Sequence, residues 1–137
     1  MLNVKVYDMN GKAHKLSEFF GYPIVVNCWA SWCTPCKKEL PYFDYAYSQY
    51  KDKGVIFLMV DMVDGSPTEA GKAKQIVSDN GYSFPVYFDN DNSLKSAYGV
   101  TSIPRTLLIK ANGELSTILR GTQTEASVMN AIKNLIG

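Results

Sequence analysis

Cys33 and Cys36 stand three residues apart, with Thr34 and Pro35 between them. A C-x-x-C pair can serve thiol–disulfide exchange, metal ligation or covalent haem attachment. Haem attachment needs a histidine directly after the second cysteine, and that residue is Lys37. Structural zinc needs four ligands. The third cysteine, Cys28, and the single histidine, His14, lie apart from the pair and from each other. No metal is therefore expected, and Asp61 and Asp64, which flank a strand end, lack further ligands at useful spacing. Exchange chemistry asks for less, since it needs one thiolate to attack and a second thiol within disulfide reach.

The segments around the pair can meet that demand. Ile24 to Ala30 is a mostly apolar run that suits a strand buried on both faces of a parallel sheet. A helix is expected from Thr34 to Tyr50, with Leu40, Phe43, Tyr47 and Tyr50 on its core face. Tyr42, Tyr45, Tyr47 and Tyr50 read as core and surface of this one helix, which Pro41 should kink. Cys33 then falls at a helix N-terminus, where free N–H groups and the helix dipole favour an anion. Such a setting lowers a thiol pKa to roughly 3.5–7.5. Cys36 follows one turn later, and Pro35 in the first turn costs no hydrogen bond.

Further along, Val4 to Tyr7 alternates as a strand does and ends in the turn residues Asp8 to Gly11. Leu16 to Phe20 suits a short helical turn, and Val55 to Asp61 a second buried strand. Ser66-Pro67-Thr68-Glu69 has the form of a capping box opening a helix that ends near Asn80-Gly81. Phe84 to Phe88 reads as a strand, Ser93 to Tyr98 as a helix, and Arg105 to Lys110 as a strand joined by Ala111-Asn112-Gly113 to Leu115–Leu119. Thr122 to Glu125 forms a second capping box, ahead of a helix that buries Val128, Ile132, Leu135 and Ile136. Strands alternating with helices and closing on a hairpin give an α/β sandwich with helices on both faces.

The chain has 137 residues, 46% hydrophobic and 20% charged, with a net charge of +1. One domain, residues 1–137, is expected, and a monomer. The balanced charge argues against nucleic acid or an anionic membrane as a partner. The longest apolar run, Val55 to Val60, is far short of the roughly 20 residues a membrane span needs. The start, Met1 to Val6, lacks the pattern of a signal peptide. Three cysteines are too few for a disulfide-stapled domain.

Asn27-Cys28-Trp29-Ala30-Ser31-Trp32-Cys33-Thr34-Pro35-Cys36-Lys37-Lys38-Glu39-Leu40-Pro41 closely resembles the active-site segment of the TlpA/ResA-like branch of the thioredoxin superfamily. The resemblance continues through Phe84-Pro85-Val86, Gly99 to Pro104, Asn112-Gly113 and Gly121, and so spans nearly the whole chain. It implies a thioredoxin fold: a central mixed sheet with helices on both faces, an N-terminal β-hairpin and a strand–helix insertion at about Phe84 to Tyr98. It implies dithiol–disulfide exchange with protein substrates, acting as a reductant, without an organic cofactor or metal. Cys33 would be the nucleophile and Cys36 the resolving thiol, and a partner thiol protein would re-reduce the pair. Many relatives are tethered outside the cytoplasmic membrane, and several serve cytochrome c maturation by reducing apocytochrome cysteines. An extracytoplasmic location, with the export segment outside this chain, is thus expected; the alternative is cytoplasmic.

The resemblance also assigns supporting residues. Pro104 would follow a cis bond and lie against the cysteine pair, leaving Ile103 backbone groups to pair with an extended substrate. Arg105 stands where relatives often carry Thr, which bears on the charge of the substrate groove. Glu39 shares a helix face with Cys36, and ResA-type relatives place there a glutamate that tunes the cysteines and relays protons. Asn27 occupies the place of the buried aspartate of ordinary thioredoxins, which shifts the acid/base work toward Glu39. Trp32, with Thr34 and Pro35, is expected to shield the sulfur and offer contact area, and Trp29 to pack beneath the loop. Cys28 reads as an inert core thiol, and His14 as a surface or packing residue. Three other readings are open: a general cytoplasmic thioredoxin-type reductant, a peroxiredoxin-like peroxide reductase, and a non-catalytic module that holds unfolded chains. Peroxide reductases usually carry Thr three residues before the reactive cysteine, where this chain has Ala30.

Overall fold

A computed structural model describes residues 4–137; Met1-Leu2-Asn3, part of the start read above for a signal pattern, lies outside the described residues. The sheet is built outward from Ile24–Trp29 (β3), every residue of which is buried. Ile56–Asp61 (β4) pairs parallel to it, with Ile24 opposite Ile56 and Trp29 opposite Asp61. Arg105–Ile109 (β6) pairs antiparallel along its other edge. Leu115–Arg120 (β7) closes that side through a hairpin. Its turn needs Gly113, whose φ is +93° and whose hydrogen points at the Phe20 ring, 2.8 Å from where a Cβ would sit. On the other side Val86–Phe88 (β5) runs parallel to β4, followed by Lys5–Tyr7 (β1) and Ala13–Lys15 (β2), the N-terminal hairpin. The strand order is β2-β1-β5-β4-β3-β6-β7.

Thr34–Tyr50 (α1), Glu69–Asn80 (α2) and Glu125–Ile136 (α4) pack with Val25, Trp29 and Met59 on one face of the sheet. Ser93–Tyr98 (α3) and the 3-10 turn Leu16–Phe19 cover the other face with Ile24, Val26 and Cys28. The mixed sheet, two covered faces, N-terminal hairpin and strand–helix segment at Phe84–Tyr98 match the expectation. No described helix is long and apolar enough to cross a membrane.

Four details differ from the sequence reading. Ser66 does not cap α2; the helix starts at Glu69, and no side chain caps it, because the Glu69 carboxyl is engaged elsewhere. The cap of α4 is Thr124, whose Oγ1 accepts from Ser127 N–H at 3.1 Å, rather than Thr122. In α4, Leu135 is only partly buried and Ile136 is exposed in the last turn. In α1, Ala46 takes an interior place while Tyr47 and Tyr50 pack partly buried at its margin.

His14 bridges the hairpin to the turn after it. Its Nε2 lies 2.7 Å from Asp8 Oδ2 and its Nδ1 3.0 Å from Glu18 Oε2, and its ring packs near Phe19 and Tyr87. The hydrogen bond to Asp8, then that to Glu18, raises the His14 pKa above its ordinary value. A raised histidine pKa adds stability that is complete below the unfolded value of about 6.5 and lost as pH rises through the folded one. Urea denaturation is therefore expected to show wild type more stable than His14→Gln near pH 6, with the difference shrinking by pH 9. An equal difference at both values would show the bridge to be uncharged.

Candidate active site

Strand β3 carries the chain, fully buried, as far as Ala30. The chain then turns. Cys33 N–H donates to the Ala30 carbonyl at 3.2 Å, and α1 begins at Thr34. Cys33 is the N-cap of α1, and its Sγ accepts from Cys36 N–H at 3.2 Å. The two cysteines form a disulfide, their Cα atoms 5.2 Å apart. They differ in access: Cys33 keeps 4% of its surface and Cys36 none. Thr34 and Pro35 are exposed beside them, and Trp32 is 65% exposed. Trp29 is wholly buried in the cluster that contains both cysteines.

Glu39 is completely buried, one turn beyond Cys36. Its Oε1 accepts from the Asn27 amide at 3.0 Å and its Oε2 from Gln123 N–H at 2.9 Å. Asn27 also donates to Thr106 Oγ1 at 3.1 Å, which ties β3, α1, β6 and the loop before α4 into one polar cluster. Burial pushes the Glu39 carboxyl up from its ordinary pKa, against the lowering by those two donors. Gln123 and Thr106 were not foreseen, since nothing local in the sequence links them to position 39.

The Ile103–Pro104 bond is cis, and Pro104 is buried. Ile103 and Trp32 share the wall of a cavity of about 120 Å³, with Met62, Asp64, Lys95 and Val100. Arg105 adds no exposed charge to this groove. Its guanidinium turns inward, donating to the Gly99 carbonyl at 2.7 Å and to Ser102 Oγ at 3.2 Å, and so braces the loop that forms the groove wall. The charges on the rim are Lys95 and Asp64, paired at 2.8 Å.

A pair of buried carboxyls escaped the sequence reading. Glu69, at the start of α2, accepts from Ser31 N–H at 2.7 Å and from Ser31 Oγ–H at 2.6 Å. Asp61, at the end of β4, is fully buried, and among the described residues no donor reaches either of its oxygens. Burial first, and then the facing Glu69 carboxylate, push Asp61 up to about 9. Asp64 points the other way, toward Lys95. Among the described residues no cluster could hold a metal ion. Cys28 is buried, and burial pushes its thiol up to about 12, as an inert core residue requires.

The redoxin family pattern matches residues 1–133. The chain is 34% identical over 134 residues to the thiol-disulfide oxidoreductase ResA of Bacillus subtilis (strain 168), covering 96% of this chain and 73% of that one. The chain belongs to the redoxin family. A second relative, the ResA of Geobacillus kaustophilus (strain HTA426), is 33% identical over 128 residues, 93% of this chain and 71% of the relative. The fold agrees with a crystal structure of a thioredoxin-family thiol:disulfide interchange protein from Chlorobium tepidum TLS, with TM-score 0.82 at 22% identity over 98% of this chain and 93% of that one. This redoxin is a thiol-disulfide oxidoreductase of the ResA type on a thioredoxin fold, and a disulfide-based centre of this kind works without a cofactor.

Asp61 has a measurable consequence in this redoxin. A carboxyl whose folded pKa is raised gives stability that is complete below the unfolded value of about 3.9 and lost as pH rises through the folded value. Asp61→Asn should therefore gain on wild type between pH 4 and pH 9, by at most about 1.4 kcal/mol per pH unit for one proton. Guanidinium unfolding of both proteins across that range checks it; a gap that does not change with pH would mean that Asp61 is ionised in the folded protein.

Proposed function

We propose that this oxidoreductase reduces disulfides of protein substrates, with Cys33 as nucleophile, Cys36 as resolving thiol and Glu39 as the group that takes the Cys36 proton. The observation that carries the reading is the asymmetry of the pair: Cys33 has surface at a helix N-terminus, while Cys36 is sealed one turn before a buried carboxyl. In the reduced enzyme the Cys33 thiolate attacks one sulfur of a substrate disulfide. That S–S bond breaks, a Cys33–substrate disulfide forms, and the second substrate sulfur leaves as a thiolate that picks up a proton. Cys36 then loses its proton toward Glu39 and attacks Cys33 Sγ. The mixed disulfide breaks, the Cys33–Cys36 bond forms, and the substrate departs carrying two electrons. A partner dithiol protein reverses the last step to restore the enzyme.

Two further features support this assignment. Burial raises Glu39 while two hydrogen bonds lower it, a balance that suits a group able both to accept and to release a proton. Trp32, Thr34 and Pro35 stand exposed around Cys33, and Ile103 shares the cavity with Trp32, so an extended substrate segment can lie across them. The resemblance to the TlpA/ResA-like branch favours action outside the cytoplasm, on selected substrates such as apocytochrome cysteines. The enzyme works in this scheme as a monomer, with no contribution from metal or nucleic acid.

Cys36→Ser should accumulate covalent complexes that dithiothreitol releases, while Cys33→Ser should form none and lose insulin reduction altogether. Glu39→Gln should form the mixed disulfide normally but resolve it about a hundredfold more slowly, the usual scale of a lost proton acceptor. Normal resolution in Glu39→Gln would remove the glutamate from the mechanism. Fast consumption of hydrogen peroxide by Cys33, without disulfide reduction, would replace it with peroxide chemistry.

A further inference from the structure

The turn between Trp29 and Cys33 aims the reactive sulfur, and after the buried Ala30 it is fixed by few polar contacts. Trp32 is largely exposed. Among the described residues, the only side-chain hydrogen bonds made between positions 29 and 32 are the two from Ser31 to Glu69. Both Glu69 oxygens are thereby occupied, each by a separate donor, which is the arrangement of an ionised carboxylate acting as acceptor. Glu69 is also the first residue of α2, where the helix dipole favours a negative charge. Asp61 faces it from β4, with no donor among the described residues for either oxygen. Two buried carboxyls with no cation between them cannot both be charged, and a proton on Asp61 would be donated to Glu69.

We infer that Glu69 is a positioning residue for the exchange reaction: its carboxylate clamps the turn before Cys33 through both donors of Ser31, and a protonated Asp61 holds that carboxylate from behind. The inference rests on the proposed attack by Cys33. It assigns a role to a second acid site, on α2 and β4, separate from Glu39 on α1.

The test uses reduced protein, oxidised glutathione as the probe, and the pH–rate profile followed by stopped flow. The informative quantity is the plateau near pH 8, above the lowered thiol range expected of Cys33 and below the value of about 9 for Asp61, because there the rate reports alignment and not thiol pKa. Glu69→Gln keeps the shape but replaces one acceptor by a donor; the plateau should fall about tenfold, as for loss of one charge-assisted hydrogen bond. Asp61→Asn still presents an N–H to Glu69 and should stay within about twofold of wild type, whereas Asp61→Ala should fall with Glu69→Gln. A support that is merely structural would lower the melting temperature in Glu69→Gln and leave the plateau unchanged, which would overturn the inference. So would an Asp61→Asn as slow as Glu69→Gln, since Asp61 would then be acting as an anion. If Glu69→Gln does not fold, Ser31→Ala serves in its place: one of the two bonds is lost, a plateau about threefold lower is expected, and an unchanged one overturns the clamp. The Ser31 amide proton resonance separates this inference from the functional reading. It should lie far downfield in wild type and move upfield in Glu69→Gln whether or not glutathione is reduced, and a resonance that does not move refutes the clamp even in an active enzyme.

Discussion

Strand β3 is hidden on both faces and paired along both edges, and this confinement governs the rest of the molecule. A strand in the middle of a sheet can satisfy its backbone only through its neighbours, so β4 and β6 must lie beside it in fixed register. Its side chains alternate between two cores: Val25 and Trp29 face α1, α2 and α4, and Ile24, Val26 and Cys28 face α3 and the 3-10 turn. A slip of one residue would exchange these sets and bring Asn27 out of reach of Glu39. With the register held, the strand ends at one point, and the turn that follows must deliver Cys33 to the start of α1. Cys33 is thus placed by a strand that carries neither cysteine of the pair.

Buried carboxyls crowd around that strand, and each is accommodated differently. Asp89 accepts from the N–H groups of Leu94 and Lys95 and so caps α3. Glu39 is held by an amide and a backbone N–H, and Glu69 by the two donors of Ser31. Asp61 has no donor among the described residues. An ionised carboxylate without partners in the interior is far costlier than a neutral one, so these sites grade from donor-rich acids that can bear charge to one that keeps its proton. This grading lets several acids share one small interior without mutual repulsion.

Much of this was legible along the chain. The apolar run Ile24–Ala30, the C-x-x-C at its end and the periodic residues after it defined β3 and α1, because those signals are local and agree with one another. The end of α2 at Asn80-Gly81 was equally plain, since Gly81 sits at φ +65° in the helix stop. Capping misled where a tertiary partner competed for the same group. The Glu69 carboxyl, which a local box would direct to its own helix, goes to Ser31 instead; the Gln123 N–H goes to Glu39, and the cap of α4 moves to Thr124. Arg105 was ambiguous for a similar reason. A cation beside a groove reads as part of the groove until the loop carbonyl it brackets is known, and here Gly99 and Ser102 draw it inward. Asp61 and Glu69 lie eight positions apart on different elements, and only the parallel pairing of β3 with β4 sets both beside Ser31.

The inward turn of Arg105 changes what the groove can offer. Had its guanidinium faced out, an anionic segment would be the natural guest. With Arg105 committed to the loop, and Lys95 paired with Asp64 on the rim, the cavity beside Trp32 has no unpaired charge on its wall among the described residues and is lined instead by Trp32, Met62, Val100 and Ile103 with small hydroxyl residues. Apolar contact there is modest in area, so in the proposed reaction affinity comes largely from backbone pairing along Ile103 and from the covalent step itself. Such a surface selects by the accessibility and extension of the segment carrying the disulfide more than by its charge. That suits the proposed role as a reductant of segments unfolded or loosely folded around their cysteines.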